Sequence, residues 1–206
     1  MNDFRGEFVS ALRANEKDFG VALSETDLNN LAAYYKLVEK HNPILHLVAP
    51  CSPETFAVRH VLESLFLQKF LPENAKFADI GTGAGLPSIP CLIFREDLRG
   101  ILIESKLKKA DFLDAVLRER ELEKRAEVFN RQFEEVVKPD DIRFVTCRAL
   151  EKFTQKLPKI LKWSKKSKLL LFGGNILGAE LAKHGVEFER KLIPQSEQRF
   201  LFIARN

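Results

Sequence analysis

Seven consecutive residues, Asp79-Ile80-Gly81-Thr82-Gly83-Ala84-Gly85, constrain this chain more than any others. They follow the apolar run Phe77-Ala78, which reads as part of a short strand. They lead into a stretch from Leu86 to Phe94 with helical spacing. Glycines at alternate positions free the backbone for tight turns and for close approach to a ligand. A strand that ends in such a turn and continues as a helix opens a strand–helix–strand unit. Such units build parallel sheets covered on both faces. The pattern recurs downstream. Ile101-Leu102-Ile103 predicts a second strand and Lys106–Glu123 an amphipathic helix. Glu127-Val128-Phe129 and Phe144-Val145-Thr146 predict strands three and four, and Leu169–Phe172 strand five. Glu187–Leu192 and Phe200–Ala204 predict a closing hairpin around Pro194-Gln195-Ser196. Phe153, Leu157, Ile160 and Leu161 fall on one side of a helix over residues 149–165, which Pro158 is expected to split in two. The fold class expected is α/β, with a mostly parallel sheet and a C-terminal antiparallel hairpin.

The first third reads as helices. One is predicted near residues 3–18. Another carries Leu28, Leu31, Ala32, Tyr35 and Val38 on one face, behind Ser24 or Thr26 as cap. Ser52-Pro53-Glu54 starts a third, which runs to about Phe70. A loop from His41 to Cys51, broken by Pro43 and Pro50, is expected between the last two. With 206 residues, the chain is expected to be a single domain, residues 1–74 forming a helical subregion and residues 75–206 the core. A hydrophobic fraction of 45% excludes a disordered chain. No apolar run approaches the roughly 18 residues of a membrane span, and Asp3 and Glu7 near the start argue against a secretory leader. Three scattered cysteines argue for reduced thiols, hence a cytoplasmic setting. Charge is uneven: residues 1–74 carry net −3 and residues 75–206 net +7. Between Arg148 and Lys168 stand eight bases against the single acid Glu151. Such a field attracts a polyanion.

The glycine spacing narrows the ligand. A dinucleotide fingerprint is G-x-G-x-x-G, and Leu86 stands where its third glycine would be. A phosphate loop needs Gly-Lys-Ser/Thr, which is absent. A G-x-G-x-G turn behind Asp79 suits a ligand with an adenosine and a carboxylate but no pyrophosphate. S-adenosylmethionine is such a ligand. Glu104 closes the second strand 19 residues after Gly85, where such folds place an acid on ribose hydroxyls. The plainer reading is a tight strand–helix turn without a ligand.

The run Phe77 to Pro90, with its Leu86-Pro87-Ser88-Ile89-Pro90, resembles the RsmG (GidB) family of 16S ribosomal RNA guanine-N7 methyltransferases. Arg59-His60-Val61-Leu62-Glu63-Ser64 is similar to that family's Arg-His-x-Leu-Asp-Ser, with Glu63 in place of aspartate. Glu104-Ser105, Lys108-Lys109, Phe112-Leu113 and Cys147-Arg148-Ala149 match further motifs. The resemblance implies a class I, Rossmann-like methyltransferase fold with a seven-stranded sheet and N-terminal helices. It also implies S-adenosylmethionine as cofactor and a guanine in the 530 loop of 16S rRNA, free or in a small-subunit precursor, as target. A monomer is expected. Gly81 and Leu86 are implied to touch the cofactor, Arg148 to sit at its cleft and Phe133-Glu134 to flank the adenine. Asp79, Gly83, Gly85 and Glu104 complete the expected cofactor set, and Arg148 is the one catalytic candidate. Arg59, His60, Lys108, Lys109, Lys152, Lys156 and Lys159 are the RNA candidates. Gly173-Gly174 departs from the family's Lys-Gly.

Guanine N7 carries a lone pair and no proton, so methylation there needs alignment rather than a strong base. That agrees with the lack of a nucleophile–base constellation. Two alternatives stay open: a cytosine-C5 methyltransferase using Cys147 as nucleophile, and a cofactor-binding domain without catalysis that binds RNA or protein. His41, His46 and Cys51 lack a fourth ligand at zinc-finger spacing, so no metal is expected. The lysines at 152, 156, 159, 162 and 166 form either a phosphate-binding stripe or a solvated face, and His60 either a substrate contact or a satisfied helix histidine.

Overall fold

The structure is a computed structural model that describes residues 4–149 and 152–205. Its sheet has seven strands: β1 (Lys76–Ile80), β2 (Arg99–Ile103), β3 (Ala126–Phe129), β4 (Phe144–Arg148), β5 (Lys168–Gly173), β6 (Phe188–Leu192) and β7 (Phe200–Arg205). Their order is β3-β2-β1-β4-β5-β7-β6. The first five are parallel, and β7 runs antiparallel to both β5 and β6. The alternating pattern predicts the mostly parallel sheet and the closing hairpin, whereas the strand order and the place of β7 between β5 and β6 come from the structure.

Among the described residues, three helices precede the sheet: α1 (Phe4–Asn15), α2 (Glu25–Leu45) and α3, a continuous helix over residues 53–70. Crossovers carry α4 (Ser88–Phe94), α5 (Leu107–Glu119), α6 (Phe153–Trp163) and α7 (Asn175–Lys183). β3 and β4 are joined by residues 130–143, which hold a 3-10 turn at Phe133–Glu135. Ser24 caps α2: its hydroxyl accepts from the Asp27 amide at 3.1 Å while the Asp27 carboxylate accepts from the Ser24 amide at 2.8 Å. Ser52 caps α3 by accepting from the Thr55 amide, with Pro53 as the first helical residue.

Alternation along the strands divides the core. Phe77, Leu102, Leu170 and Leu201 pack with buried residues of α1 to α5, including Phe8, Tyr34, Phe56 and Leu113. Ala78, Ile101, Val145 and Leu171 face the other way, against Leu157 and Ile160 of α6 and Leu177 and Leu181 of α7. Each buried Leu, Ile, Val or Phe side chain among them contributes about 1.5–3 kcal/mol. Among the described residues no helix is long and apolar enough to cross a membrane.

Two of the three prolines expected to break structure, Pro43 and Pro158, sit inside helices, while Pro50 lies outside them. The loop expected from His41 begins later, because α2 runs through Pro43 to Leu45. The expected split at Pro158 does not occur, and α6 is one helix. A proline removes one amide and leaves the carbonyl four residues back without its partner. Pro43 and Glu39 are exposed, as are Pro158 and Thr154, so water can satisfy both carbonyls. Val38 and Leu45 hold α2 to the core on either side of Pro43, and Leu157 and Ile160 hold α6 around Pro158. Other elements are shorter than expected: α4 begins at Ser88 rather than Leu86, α5 ends at Glu119 rather than Glu123, and α1 ends at Asn15. Asp3, Leu150 and Glu151, part of the expected first helix and basic segment, lie outside the described residues.

Gly85 shows how tightly the glycine turn packs onto α4. Its φ is +91°, and a Cβ there would stand 2.3 Å from Cγ1 of Ile89 and 3.1 Å from Cδ2 of Leu113. Gly85→Ala therefore combines overpacking with an unfavourable backbone conformation. It is expected to lower stability by about 2–4 kcal/mol in urea unfolding.

Candidate active site

Parallel register brings the candidate residues together. Ile80 of β1 pairs with Ile103 of β2 and with Cys147 of β4. The next residues, Gly81, Glu104 and Arg148, therefore meet at the C-terminal edge of the sheet, the usual ligand edge of open α/β sheets. A cleft of about 330 Å³ opens there. Its floor is Gly81–Ala84 and Leu86, its walls are Glu104–Lys106 and Arg148–Ala149, and Leu47–Ala49, His60, Lys109 and Lys156 form its rim.

Glu104 is nearly buried, and its carboxylate holds the turn in place. One oxygen accepts from the Gly83 amide at 3.1 Å and the other from the Lys106 amide at 2.8 Å. Gly83 has φ +58°, and a Cβ there would meet nothing closer than the Gly81 carbonyl at 3.9 Å. Its open side is where a ligand can lie against bare backbone. From the other side, the buried Tyr34 hydroxyl donates to the Ala84 carbonyl at 2.9 Å. Sequence reading did not single out Tyr34, because its side chain arrives from a helix 50 residues away.

Asp79 lies beneath the turn rather than in the cleft lining. It is 0% exposed and accepts a hydrogen bond from the Ser88 hydroxyl at 2.5 Å. Burial raises its carboxyl to about 7; the Ser88 and Thr82 hydroxyls oppose the shift and the charge of Glu104 adds to it.

The second cluster is built on α3. Its backbone widens into a π-helix over Ala57–Leu62, a distortion often found at functional sites. Two carbonyls of this wide turn take side-chain donors: that of Arg59 accepts from Arg148 Nη2, and that of His60 accepts from the Ser64 hydroxyl. Arg148 Nη2 also donates to Glu63 at 3.0 Å, and its guanidinium lies 5.5 Å from the Phe172 ring centroid. Burial presses the Arg148 guanidinium below its ordinary value, and Glu63 opposes that shift. Burial also holds the His60 imidazole down at about 4, helped by the charges of Arg148 and Arg59. His60 is therefore neutral at physiological pH.

The other expected residues divide by position. Gly81, Gly83, Leu86, Glu104, Arg148, His60, Lys109 and Lys156 line the cleft, while Arg59, Lys108, Gly85 and Glu134 do not. Phe133 lines a small recess alongside, with Arg131, Ser105 and Lys156. Glu134 pairs with Lys159 at 3.2 Å. Lys152 caps α6 in a left-handed conformation, and Lys166 lies beyond the helix. The Cys147 side chain is fully buried on the face that packs against α6 and α7, away from the cleft lining. Cys91 is buried too and donates to the Ser64 carbonyl. Among the described residues no group of three His, Cys, Asp or Glu side chains is placed to share a metal ion.

The raised Asp79 carboxyl makes a prediction with a definite sign. Its folded value lies above its ordinary value, so its stabilising contribution is complete below pH 4 and fades as pH rises through 7. The total is on the order of 4 kcal/mol. Relative to Asp79→Asn, the wild-type chain is expected to lose stability between pH 5 and pH 8, read by urea unfolding at both pH values. An equal difference at the two values refutes the assignment.

Comparison with known proteins agrees with this geometry. The family model described as GidB, rRNA small subunit methyltransferase G, matches residues 27–200. The ribosomal RNA small subunit methyltransferase G of Desulfotalea psychrophila is 34% identical over 148 residues, covering 70% of this chain and 68% of that protein. Its counterpart in Escherichia coli (strain K12 / DH10B) is 36% identical over 107 residues, so the match spans 52% of this chain and about half, 51%, of the relative. Among solved structures, a SAM-dependent methyltransferase from Aquifex aeolicus superposes with a TM-score of 0.60 at 15% identity, covering 83% of this chain and 97% of that one. The superposition establishes the Rossmann-like methyltransferase fold. With the family model matching most of its length, the chain belongs to the rRNA small subunit methyltransferase G (GidB) family.

Proposed function

We propose that this chain methylates N7 of a guanine in the 530 loop of 16S rRNA, using S-adenosylmethionine. The observation that carries the reading is the cleft itself. Three parallel strands deliver Gly81, Glu104 and Arg148 to one edge, in a chain whose family is a ribosomal RNA methyltransferase family. The residues fit the cofactor: Gly83 leaves open space at the cleft floor, and a nearly buried carboxylate stands beside it.

When bound, S-adenosylmethionine supplies a methyl group on a sulfonium, ready for in-line attack. Glu104 offers its carboxylate to ribose hydroxyls, while Gly81 and Gly83 let the ligand approach the backbone. Arg148 supplies positive charge to the wall. N7 of guanine attacks through its own lone pair, so the protein has to orient the base and exclude water rather than remove a proton. Neutral His60 stands at the rim as a polar contact that adds no charge beside a sulfonium. Lys109 and Lys156 at the mouth, with Lys152, Lys159 and Lys162 along α6, supply the field for RNA phosphates. Lys159 already pairs with Glu134, so its share is smaller. The same reading takes residues 1–74 as part of a single folded unit with the core, acting as a cytoplasmic monomer on rRNA or a small-subunit precursor. Burial of Cys147 argues against a thiolate mechanism, and the intact cleft argues against a domain without catalysis.

Two experiments test the reading. Methylated rRNA is expected to break at the modified guanine after borohydride and aniline, and Cys147→Ser is expected to keep activity within about fivefold because the thiol forms no bond to substrate. A resistant product or a dead variant sinks the N7 assignment. For RNA binding, log K should fall steeply with log salt. Replacing Lys152, Lys156 and Lys162 by glutamine should reduce that slope by about two, if each holds one phosphate. An unchanged slope makes the lysines a solvated face.

A further inference from the structure

Glu63, outside the cleft lining, joins two arginines from distant parts of the chain. It follows the wide turn of α3 and is 1% exposed. One carboxylate oxygen accepts from Arg148 at 3.0 Å. The other takes Nε of Arg199 at 2.8 Å and Nη2 of Arg199 at 2.7 Å. A buried carboxylate needs compensation, and one arginine would neutralise it. Here two converge, leaving this triad with one net positive charge beside the cleft. Arg199 grips its oxygen through two nitrogens and so fixes the carboxylate from behind. The face presented to Arg148 is fixed in turn. The Arg59 carbonyl and the Phe172 ring complete a seat for that guanidinium, which itself lines the cleft.

We propose that Glu63, clamped by Arg199, is a positioning residue that holds Arg148 in the orientation needed to receive the amino-acid carboxylate of S-adenosylmethionine. The inference rests on the methyltransferase reading above and assigns Arg199, in the turn before β7, a part in cofactor binding. It also separates position from charge. Glu63→Gln raises the local net charge from +1 to +2, so attraction alone would tighten binding of a carboxylate. Loss of positioning weakens it.

The test compares two ligands by calorimetry on the full chain. S-adenosylhomocysteine carries the amino-acid end, and 5′-methylthioadenosine lacks it. Glu63→Gln is expected to weaken S-adenosylhomocysteine about tenfold, leaving methylthioadenosine within about twofold. Glu63→Asp, which restores the carboxylate, should recover S-adenosylhomocysteine to within about threefold of wild type. Equal or tighter S-adenosylhomocysteine binding by Glu63→Gln overturns the proposal. Equal losses for both ligands do so as well, since they mark a general structural defect. Should Glu63→Gln not fold, Arg199→Gln, at a side chain 37% exposed, carries the test. It should cost S-adenosylhomocysteine about fivefold and methylthioadenosine nothing, and unchanged binding of both refutes the clamp. A wild-type chain that binds neither ligand refutes the methyltransferase reading itself.

Discussion

The register between β1 and its two neighbours is the constraint on which the rest depends. Backbone hydrogen bonding aligns Ile80 with Ile103 and Cys147. The turn after β1, the acid after β2 and the arginine at the end of β4 are thereby placed side by side with no further instruction. A one-residue slip of a strand would turn its side chains to the opposite face. β1, β2 and β4 place apolar residues on both faces, against five helices on one side and two on the other. A slip would therefore set the core of both layers against itself. The cleft is precise because the core is unforgiving.

Inside that frame, charge is handled at close quarters. Glu104 is nearly buried yet keeps two amide donors, and Glu63 is buried yet keeps two guanidinium partners. Asp79 is the exception. Its bond from the Ser88 hydroxyl does not offset its burial, and a raised carboxyl makes it a polar group held under the turn at a cost to stability. Function-bearing regions commonly carry such costs, offset by the core elsewhere. The π-helical turn of α3 belongs with these features: it departs from ideal geometry where carbonyls are turned to Arg148 and Ser64.

Much of this was legible in the residues, and the failures have physical causes. The mostly parallel sheet and the hairpin follow from short apolar runs alternating with helical spacing, and the ligand edge follows from Gly81, Gly83 and Glu104. The order of the strands does not, because pairing partners are set by packing across the sheet. Pro43 and Pro158 misled because helix breaking was inferred from the missing amide alone. Whether the freed carbonyl can reach water depends on which side of the helix it faces, and that is set by packing. Asp79 looked like a cleft residue because it precedes the glycines, but its side chain is buried under the turn against the Ser88 hydroxyl. Tyr34 and Arg199 were invisible for another reason. Their partners, the Ala84 carbonyl and Glu63, lie 50 and 136 positions away, and no local pattern marks such a pairing.

The sheet order also has a consequence for the chain while it is being made. β7 lies between β5 and β6, so β6 leaves the ribosome with no strand to pair against until residues 200–205 follow. Arg199 emerges with that same segment, whereas Glu63 has been available since the first third of synthesis. Domains tend to fold as units once their parts are available. A nascent chain can form β1 to β5 and the glycine turn, yet its buried glutamate still lacks the second guanidinium. The strand that closes the sheet is therefore the strand that completes the charge beside the cleft, and a truncated translation product would have neither.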